Sequence, residues 1–356
     1  MARWAAWGVL VLGTGALLGC GGGASDSKSS SGGGPSGGSS GLAGALSGGS
    51  GGSAGGSGTG VAQAGSAGAA VDPCQKDVTV NSPKSIQDLA GVTCAGTLFV
   101  TNSILTTLEG LEGLSKVTSL VIGWTPPLRF EAEGNQVLTS LKGLEGLRDV
   151  GNVHIEGNPK LTDLGALSGL AKLSGDLDII DNASLATLEG LQGLTQVHDV
   201  EISENPALVD LKGLRGLTQI NSLVLTRDPL LKNFAGLEGV QWFGSWSSEI
   251  SGNDALEDFT GLGAVTSIGA DFSVRDNKVL KSFDGFSALE RLAWTFSVSR
   301  NPELTSIAGL SGVTEVRSDI SFKDNPKLPA CAVQAWLTGL GKDCTCSGQD
   351  EAASCQ

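Results

Sequence analysis

The sequence predicts a mainly β fold, a single-chain β-solenoid of about ten coils with short helical turns and capped ends. Three observations carry this. First, an Asn (once Asp) recurs at Asn102, Asn135, Asn158, Asn182, Asn205, Asp228, Asn253, Asn277, Asn301 and Asn325, with spacings of 33, 23, 24, 23, 23, 25, 24, 24 and 24 residues. A period near 24 held over more than 200 residues marks stacked repeats. Second, apolar residues stand five and three positions ahead of the later anchors, as in Val153 and Ile155 or Phe272 and Val274, with mostly polar neighbours. That alternation is a half-buried strand. Third, apolar residues follow the anchor at intervals of three, as in Leu185, Leu188, Leu191 and Leu194. An interval of three fits short strands and single helical turns, not a long helix. The alternative is a leucine-rich-repeat α/β horseshoe.

The chain begins with a single charge, Arg3, and an apolar run from Trp4 to Leu18. The run is short and Gly-rich for a spanning helix and has the look of a secretory segment. It ends Leu17-Leu18-Gly19-Cys20, which resembles the bacterial lipobox, where cleavage before the Cys is followed by its lipidation. Residues 1–19 are therefore expected to be a lipoprotein signal peptide and Cys20 the lipidated residue, tying the protein to a membrane through acyl chains. An ordinary secretory signal is the alternative. Gly21, rather than Asp, follows Cys20. By analogy with the sorting rule of some Gram-negative lipoproteins, this favours the outer membrane, so the protein is expected in the cell envelope or on the cell surface. Residues 20–70 form a Gly/Ser/Ala linker with too little apolar bulk to fold. As a coil of about 50 residues it reaches roughly 35–42 Å.

The folded part is expected over residues 71–356. An N-cap covers 71–97, the coils 98–328, and a Cys-containing C-cap 329–356. Terminal coils of a solenoid expose apolar faces and need covers. With Cys20 set aside, six Cys remain, and all lie at the ends. Export favours disulfides. Cys74 and Cys94 are expected to pair in the N-cap. Cys331, Cys344, Cys346 and Cys355 are expected to make two bridges whose pairing is open. Four thiolates on a metal are a competing reading, but Cys344-Thr345-Cys346 lacks the CxxC spacing of a zinc knuckle. No metal or cofactor is expected.

In the N-cap, Val78 to Val80 is expected to be a short strand. Ser82 followed by Pro83 starts a helix, with Ser82 as cap and Pro83 at the first helical position. Gly91 ends it, and Cys94 to Val100 forms the first solenoid strand, with Leu98 and Val100 inward and Phe99 outward. Ten coils at about 4.8 Å give a rod roughly 45–50 Å long. Glycines such as Gly190 and Gly213 are expected at turns that need an unusual conformation or a close approach. The anchor Asn lies inside the bend, where a ladder of amides can satisfy backbone groups.

The coil after Asn102 is about nine residues longer than the others, with the excess around Trp124-Thr125-Pro126-Pro127. Insertions in solenoids often build binding loops. A second irregular coil holds Trp242 and Trp246. Trp246 and Trp294 each fall seven residues before an anchor, two coils apart, so they belong to one column.

The coils resemble the receptor L domain, the ligand-binding solenoid of insulin-receptor and epidermal-growth-factor-receptor ectodomains, and its bacterial and fungal surface relatives. The carrying residues are Cys94-Ala95-Gly96-Thr97-Leu98-Phe99-Val100, the coil Gly175 to Leu185, and the corners Asn205-Pro206-Ala207-Leu208 and Asn301-Pro302-Glu303-Leu304. The resemblance spans about Val78 to Leu328. It implies a right-handed β-solenoid and surface recognition, and it brings no catalytic motif.

Composition narrows the function classes. The formal charge is −14, from 23 Lys and Arg against 37 Asp and Glu. No basic block exists to bind nucleic acid. Tyr is absent and only His154 and His198 are present, which leaves little for acid–base chemistry. His154 and Glu156 share the wet strand face but lack a nucleophile. Asp176, Asp199, Asp271 and Asp319 form one broken acidic column, and Asp181, Glu204, Asp276 and Asp324 a second. They are expected to be solvated edges rather than Ca²⁺ sites. The binding candidates are Trp124, Trp242, Trp246 and Trp294, whose rings suit a sugar or a protein partner, although the Trp column can equally be packing under the irregular loop. The expectation is a non-enzymatic, lipid-anchored surface protein that binds a protein or glycan. The alternatives are an envelope spacer or adhesin without a discrete site and, ranked last, a polysaccharide-active enzyme.

Overall fold

The structure, a computed structural model, describes residues 73–124, 134–244, 246–292 and 294–353. The signal segment, the linker, Cys20, Cys355 and the insertion beyond Trp124 lie outside these residues.

The period in the sequence becomes the period of a sheet. Twelve strands pair in parallel: β1 (Val78–Val80), β2 (Cys94–Val100), β3 (Lys116–Gly123), β4 (Asp149–Glu156), β5 (Leu177–Ile180), β6 (Asp199–Ser203), β7 (Ser222–Thr226), β9 (Ser248–Ser251), β11 (Phe272–Arg275), β13 (Phe296–Ser299), β15 (Ile320–Lys323) and β16 (Thr345–Ser347). A second parallel sheet of four short strands covers the C-terminal half: β8 (Trp242–Phe243), β10 (Ser267–Ile268), β12 (Arg291–Leu292) and β14 (Glu315–Val316). Each strand sits one coil beyond its neighbour, so equivalent residues stack, as Phe272 does on Phe296 and Val274 on Val298. The fold is the predicted β-solenoid. Ten coil strands from β2 to β15 are flanked by a cap strand at each end. The helical pieces described within the coils are single 3₁₀ turns, at Gly165–Leu167, Lys212–Leu214 and Ala308–Leu310. The α/β horseshoe, with longer helices walling one side, is not formed.

Among the described residues the inward positions of the coils are apolar, with Ser248 in place of an apolar residue on β9. Leu185, Leu188, Leu191 and Leu194 are fully buried, as are Leu177 and Ile179 of the same coil. The position six residues after the anchor is Leu in Leu164, Leu188 and Leu211, then becomes Phe in Phe234, Phe259 and Phe283. These three rings stack with centroids 5.1 and 4.8 Å apart. Phe272 and Phe296 stack at 5.8 Å, so the C-terminal half has an aromatic interior.

The anchors form the expected ladder. Asn205 is fully buried, and its Nδ2 donates to Ile179 O (2.9 Å), Ser203 O (3.0 Å) and Asp228 Oδ1 (3.2 Å). Its neighbours repeat this: Asn158 Nδ2 donates to Ile122 O and to Asn182 Oδ1, both at 3.0 Å. The residue just ahead of the anchor takes a left-handed backbone, as Asp181 (φ 53°), Glu204 (60°) and Arg227 (58°) do. This corrects the first anchor. Asn102 is exposed with φ 47° and is the left-handed residue, while Ser103 is buried and donates its N–H to Asn135 Oδ1 at 2.9 Å. The two acidic columns are also clarified. The one beside the anchors also carries Arg227 and Arg300 and is laced by ion pairs, Arg227 with Glu204 and Arg300 with Asp276.

Both ends are covered. At the N-terminus Cys74 and Cys94 form a disulfide, and Thr97 N–H donates to Asp77 Oδ1 at 2.6 Å. The helix α1 (Pro83–Gln87) starts at Ser82, which makes a reciprocal capping box with Ser85, and it buries Ile86. At the C-terminus α2 (Ala330–Leu340) buries Val333 and Leu337 against the last coil. Trp336 donates its indole N–H to Leu310 O at 3.1 Å and packs edge-on against Phe296 and Phe322. Cys344 pairs with Cys346, and Cys331 is also disulfide-bonded.

Candidate functional site

A filled interior leaves chemistry to the surface, and two places on it depart from the repeat. The first is the wet face of the large sheet between β3 and β6. Pairing puts Val121, His154, Asp178 and Glu201 in one row. Gly123, Glu156, Ile180 and Ser203 make the next. His154 Nδ1 lies 3.2 Å from Asp178 Oδ2, and Nε2 lies 2.9 Å from Glu156 Oε2. Burial opposes the imidazolium charge, but the hydrogen bonds and charges of Asp178 and Glu156 outweigh it and hold the pKa up to about 9. His154 is thus a charged donor clamped between two carboxylates.

Beside it lie Asp176 and Asp199. Asp199 N–H donates to Asp176 Oδ1 at 3.3 Å, and Asp176 N–H to Asn152 Oδ1 at 3.0 Å. Burial and the charge of Asp176 push the Asp199 carboxyl up to about 6. Burial likewise raises Asp176. Seven titratable groups (His154, Glu156, Asp176, Asp178, His198, Asp199 and Glu201) are thus concentrated over three coils. The strand register alone assembles them. Among the described residues, no group of three or more His, Cys, Asp or Glu is arranged to hold a metal ion.

Trp124 borders this region. Its backbone N–H donates to Glu156 O at 3.0 Å, and its ring lies over Gly157, so that a Cβ there would meet Trp124 Cε2 at 2.9 Å. The ring is half-buried: of the four candidate tryptophans it is the one fixed against the large sheet, at the point where the insertion leaves the coil.

The second place is the corner joining the two sheets. The chain passes from β8 to β9 through residues 244–247, from β10 to β11 through 269–271, and from β12 to β13 through 293–295. Trp246 and Trp294 each stand two residues ahead of their strands, whose first rows are in register through Phe272. They are 63 % and 61 % exposed, the most exposed large aromatic side chains described. Packing under the irregular coil, the other reading of this column, is thereby ruled out for both. Trp242 is half-exposed on β8 and folds its ring over Gly244, where a Cβ would meet Trp242 Cζ3 at 1.6 Å. The intervening coil carries Ala270 at the equivalent corner position. Three of the four candidate tryptophans are thus gathered at one corner, and Trp124 belongs to the other surface. No family model and no curated protein matches the chain.

Proposed function

We propose that this chain is a lipid-anchored, exported cell-surface protein that binds a glycan or protein ligand on its solenoid surface and performs no catalysis. The observation that supports this most is the exposure of Trp246 and Trp294 at one coil position. Burying a Trp in the interior is favourable, and the interior of this chain is aromatic nearby, so leaving two indoles in water costs stability. A binding role offsets that cost. Exposed aromatic anchors in a polar surround are the usual energetic centres of recognition surfaces.

The His154 network supports the non-enzymatic half of the reading. Both imidazole nitrogens are engaged by carboxylates, so no lone pair is offered to a substrate. The anchor is carried by the Leu17-Leu18-Gly19-Cys20 sequence and the linker that follows. Mass spectrometry of the mature protein is expected to find an acylated Cys20 at its N-terminus; an unmodified thiol there removes the anchor. Glycan-array and pull-down experiments with the full chain are expected to yield a ligand whose binding is weakened in Trp246→Ala while folding is retained. Turnover of any polysaccharide overturns the reading. Binding indifferent to all four tryptophans but abolished by deleting coils favours a spacer instead.

A further inference from the structure

We propose that Trp246 and Trp294 form a stacking platform for a neutral, extended β-1,4-linked glycan, with alternate pyranose rings resting on the two indoles. This deepens the binding reading above and rests on it. The spacing carries the argument. Ser248, Phe272 and Phe296 are hydrogen-bonded neighbours in register, so the two tryptophans lie two coil spacings apart. At about 4.8 Å per coil that is about 10 Å. It matches the disaccharide repeat of an extended β-1,4-linked hexopyranose chain, in which every second ring presents the same face. An α-1,4-linked chain coils and does not present rings in a line.

Ala270 makes the corner small between the two indoles, so a continuous chain can cross from one to the other without a side chain in the way. Gly269 presses close to the preceding coil, where a Cβ would meet Gly244 O at 2.1 Å, which pins the corner and fixes the spacing. Polar partners flank the platform. Asp271 is exposed and accepts the Thr295 N–H on Oδ1 at 3.0 Å, leaving the carboxylate edge to take a sugar hydroxyl. Asp319 repeats this position two coils on. Sugar faces are apolar at their axial C–H groups and polar at their rims, which is the pattern of this corner.

Charge and area select against other occupants. A net charge of −14 disfavours a polyanionic glycan. The other exposed large apolar residues described, Ile104, Val209 and Leu230, follow their anchors and do not extend the Trp row into a patch. Two separated indoles fall short of the contiguous area, about 800 Å² per partner, that a stable protein interface buries.

Native affinity electrophoresis of the full chain through gels containing hydroxyethylcellulose, a neutral β-1,4-glucan, or glycogen, an α-glucan, tests this. Hydroxyethylcellulose is expected to retard the protein and glycogen to leave it unaffected. Trp246→Ala and Trp294→Ala are each expected to weaken binding roughly 3- to 10-fold. The double variant is expected to run freely with an unchanged melting curve, and Trp294→Phe to retain part of the retardation. Free migration of the wild type through hydroxyethylcellulose overturns the proposal, as does retardation of the double variant. If a purified surface protein is instead held in a Trp246-dependent way, the glycan proposal falls and the binding reading stands. If glycogen retards the chain equally, the β-linkage proposal falls and glycan binding stands.

Discussion

Single residues carry opposite burdens in this solenoid. Asp228 occupies a position that is Asn in the neighbouring coils, and it is fully buried. Its Oδ1 accepts from Asn205 N at 2.8 Å, while Oδ2 has no hydrogen-bond partner. In the adjacent coil the amide nitrogen of Asn205 fills that role by donating to a carbonyl. Burial pushes the Asp228 carboxyl up to about 7, so a protonated side chain supplies the missing donor. The folded pKa lies above the unfolded one. The stability is therefore fully present below pH 4, declines as the unfolded chain ionises, and is lost as pH rises through about 7. Asp228→Asn is expected to raise stability by about 1–3 kcal/mol at pH 8 and to change it little at pH 4, as read from urea unfolding at both values. His154 has the same sign in a different window. Its contribution is full below pH 6.5 and is lost as pH rises through about 9. His154→Gln is expected to cost about 1–3 kcal/mol at pH 6 and far less at pH 10. Equal losses at both pH values would show that the imidazolium charge is irrelevant.

At the scale of the element, each coil is held by stacking on the next. The glycine of the turn shows why the repeat is strict. Gly190 has φ 112°, and a Cβ there would lie 2.0 Å from Leu164 O. At the same offset Gly213 lies within a 3₁₀ turn, yet a Cβ would still lie 2.0 Å from Leu188 O. Conformation varies between coils and the close approach does not. Gly213→Ala is expected to destabilise the chain by roughly 1–3 kcal/mol, although its backbone is unstrained; a neutral thermal melt would contradict the close-approach account. Ion pairs such as Lys281 with Glu257 and Lys327 with Glu303 join equivalent positions of successive coils. They are exposed and each adds little. The N-terminal bridge closes a separation of 20 residues, and its loss through Cys74→Ser/Cys94→Ser is expected to cost about 2–4 kcal/mol, read as a lowered urea midpoint.

Much of this element-level structure was legible in the sequence, because period-two and period-three apolar spacing have direct geometric meanings. The strands, the 24-residue coils, the Ser82 cap and the Cys74–Cys94 bridge follow from spacing and turn chemistry. The first corner was misassigned because Asn102 satisfies two roles by composition: Asn favours both the left-handed conformation and the ladder. Only the backbone separates it from Ser103. The His154–Asp178–Glu201 row stayed hidden for another reason. Its members lie 24 and 23 residues apart, and contact between them depends on coil register rather than on any local motif. The exposure of Trp246 and Trp294 was not readable either, since their column position fits packing and display equally.

For the whole molecule, these observations separate a scaffold from a surface. Anchors, glycines and interior Leu and Phe set the coil. The proposed recognition falls at the corner where two coils place indoles in water about 10 Å apart. On that division, the tryptophans contribute to binding and not to stability. Thermal unfolding of wild type and of Trp246→Ala/Trp294→Ala, each with and without cellohexaose, tests it most directly. The account predicts the same melting temperature for both unliganded proteins, a rise with ligand for the wild type, and no rise for the variant. A ligand-induced rise retained by the variant, or a large fall in its unliganded melting temperature, would contradict it.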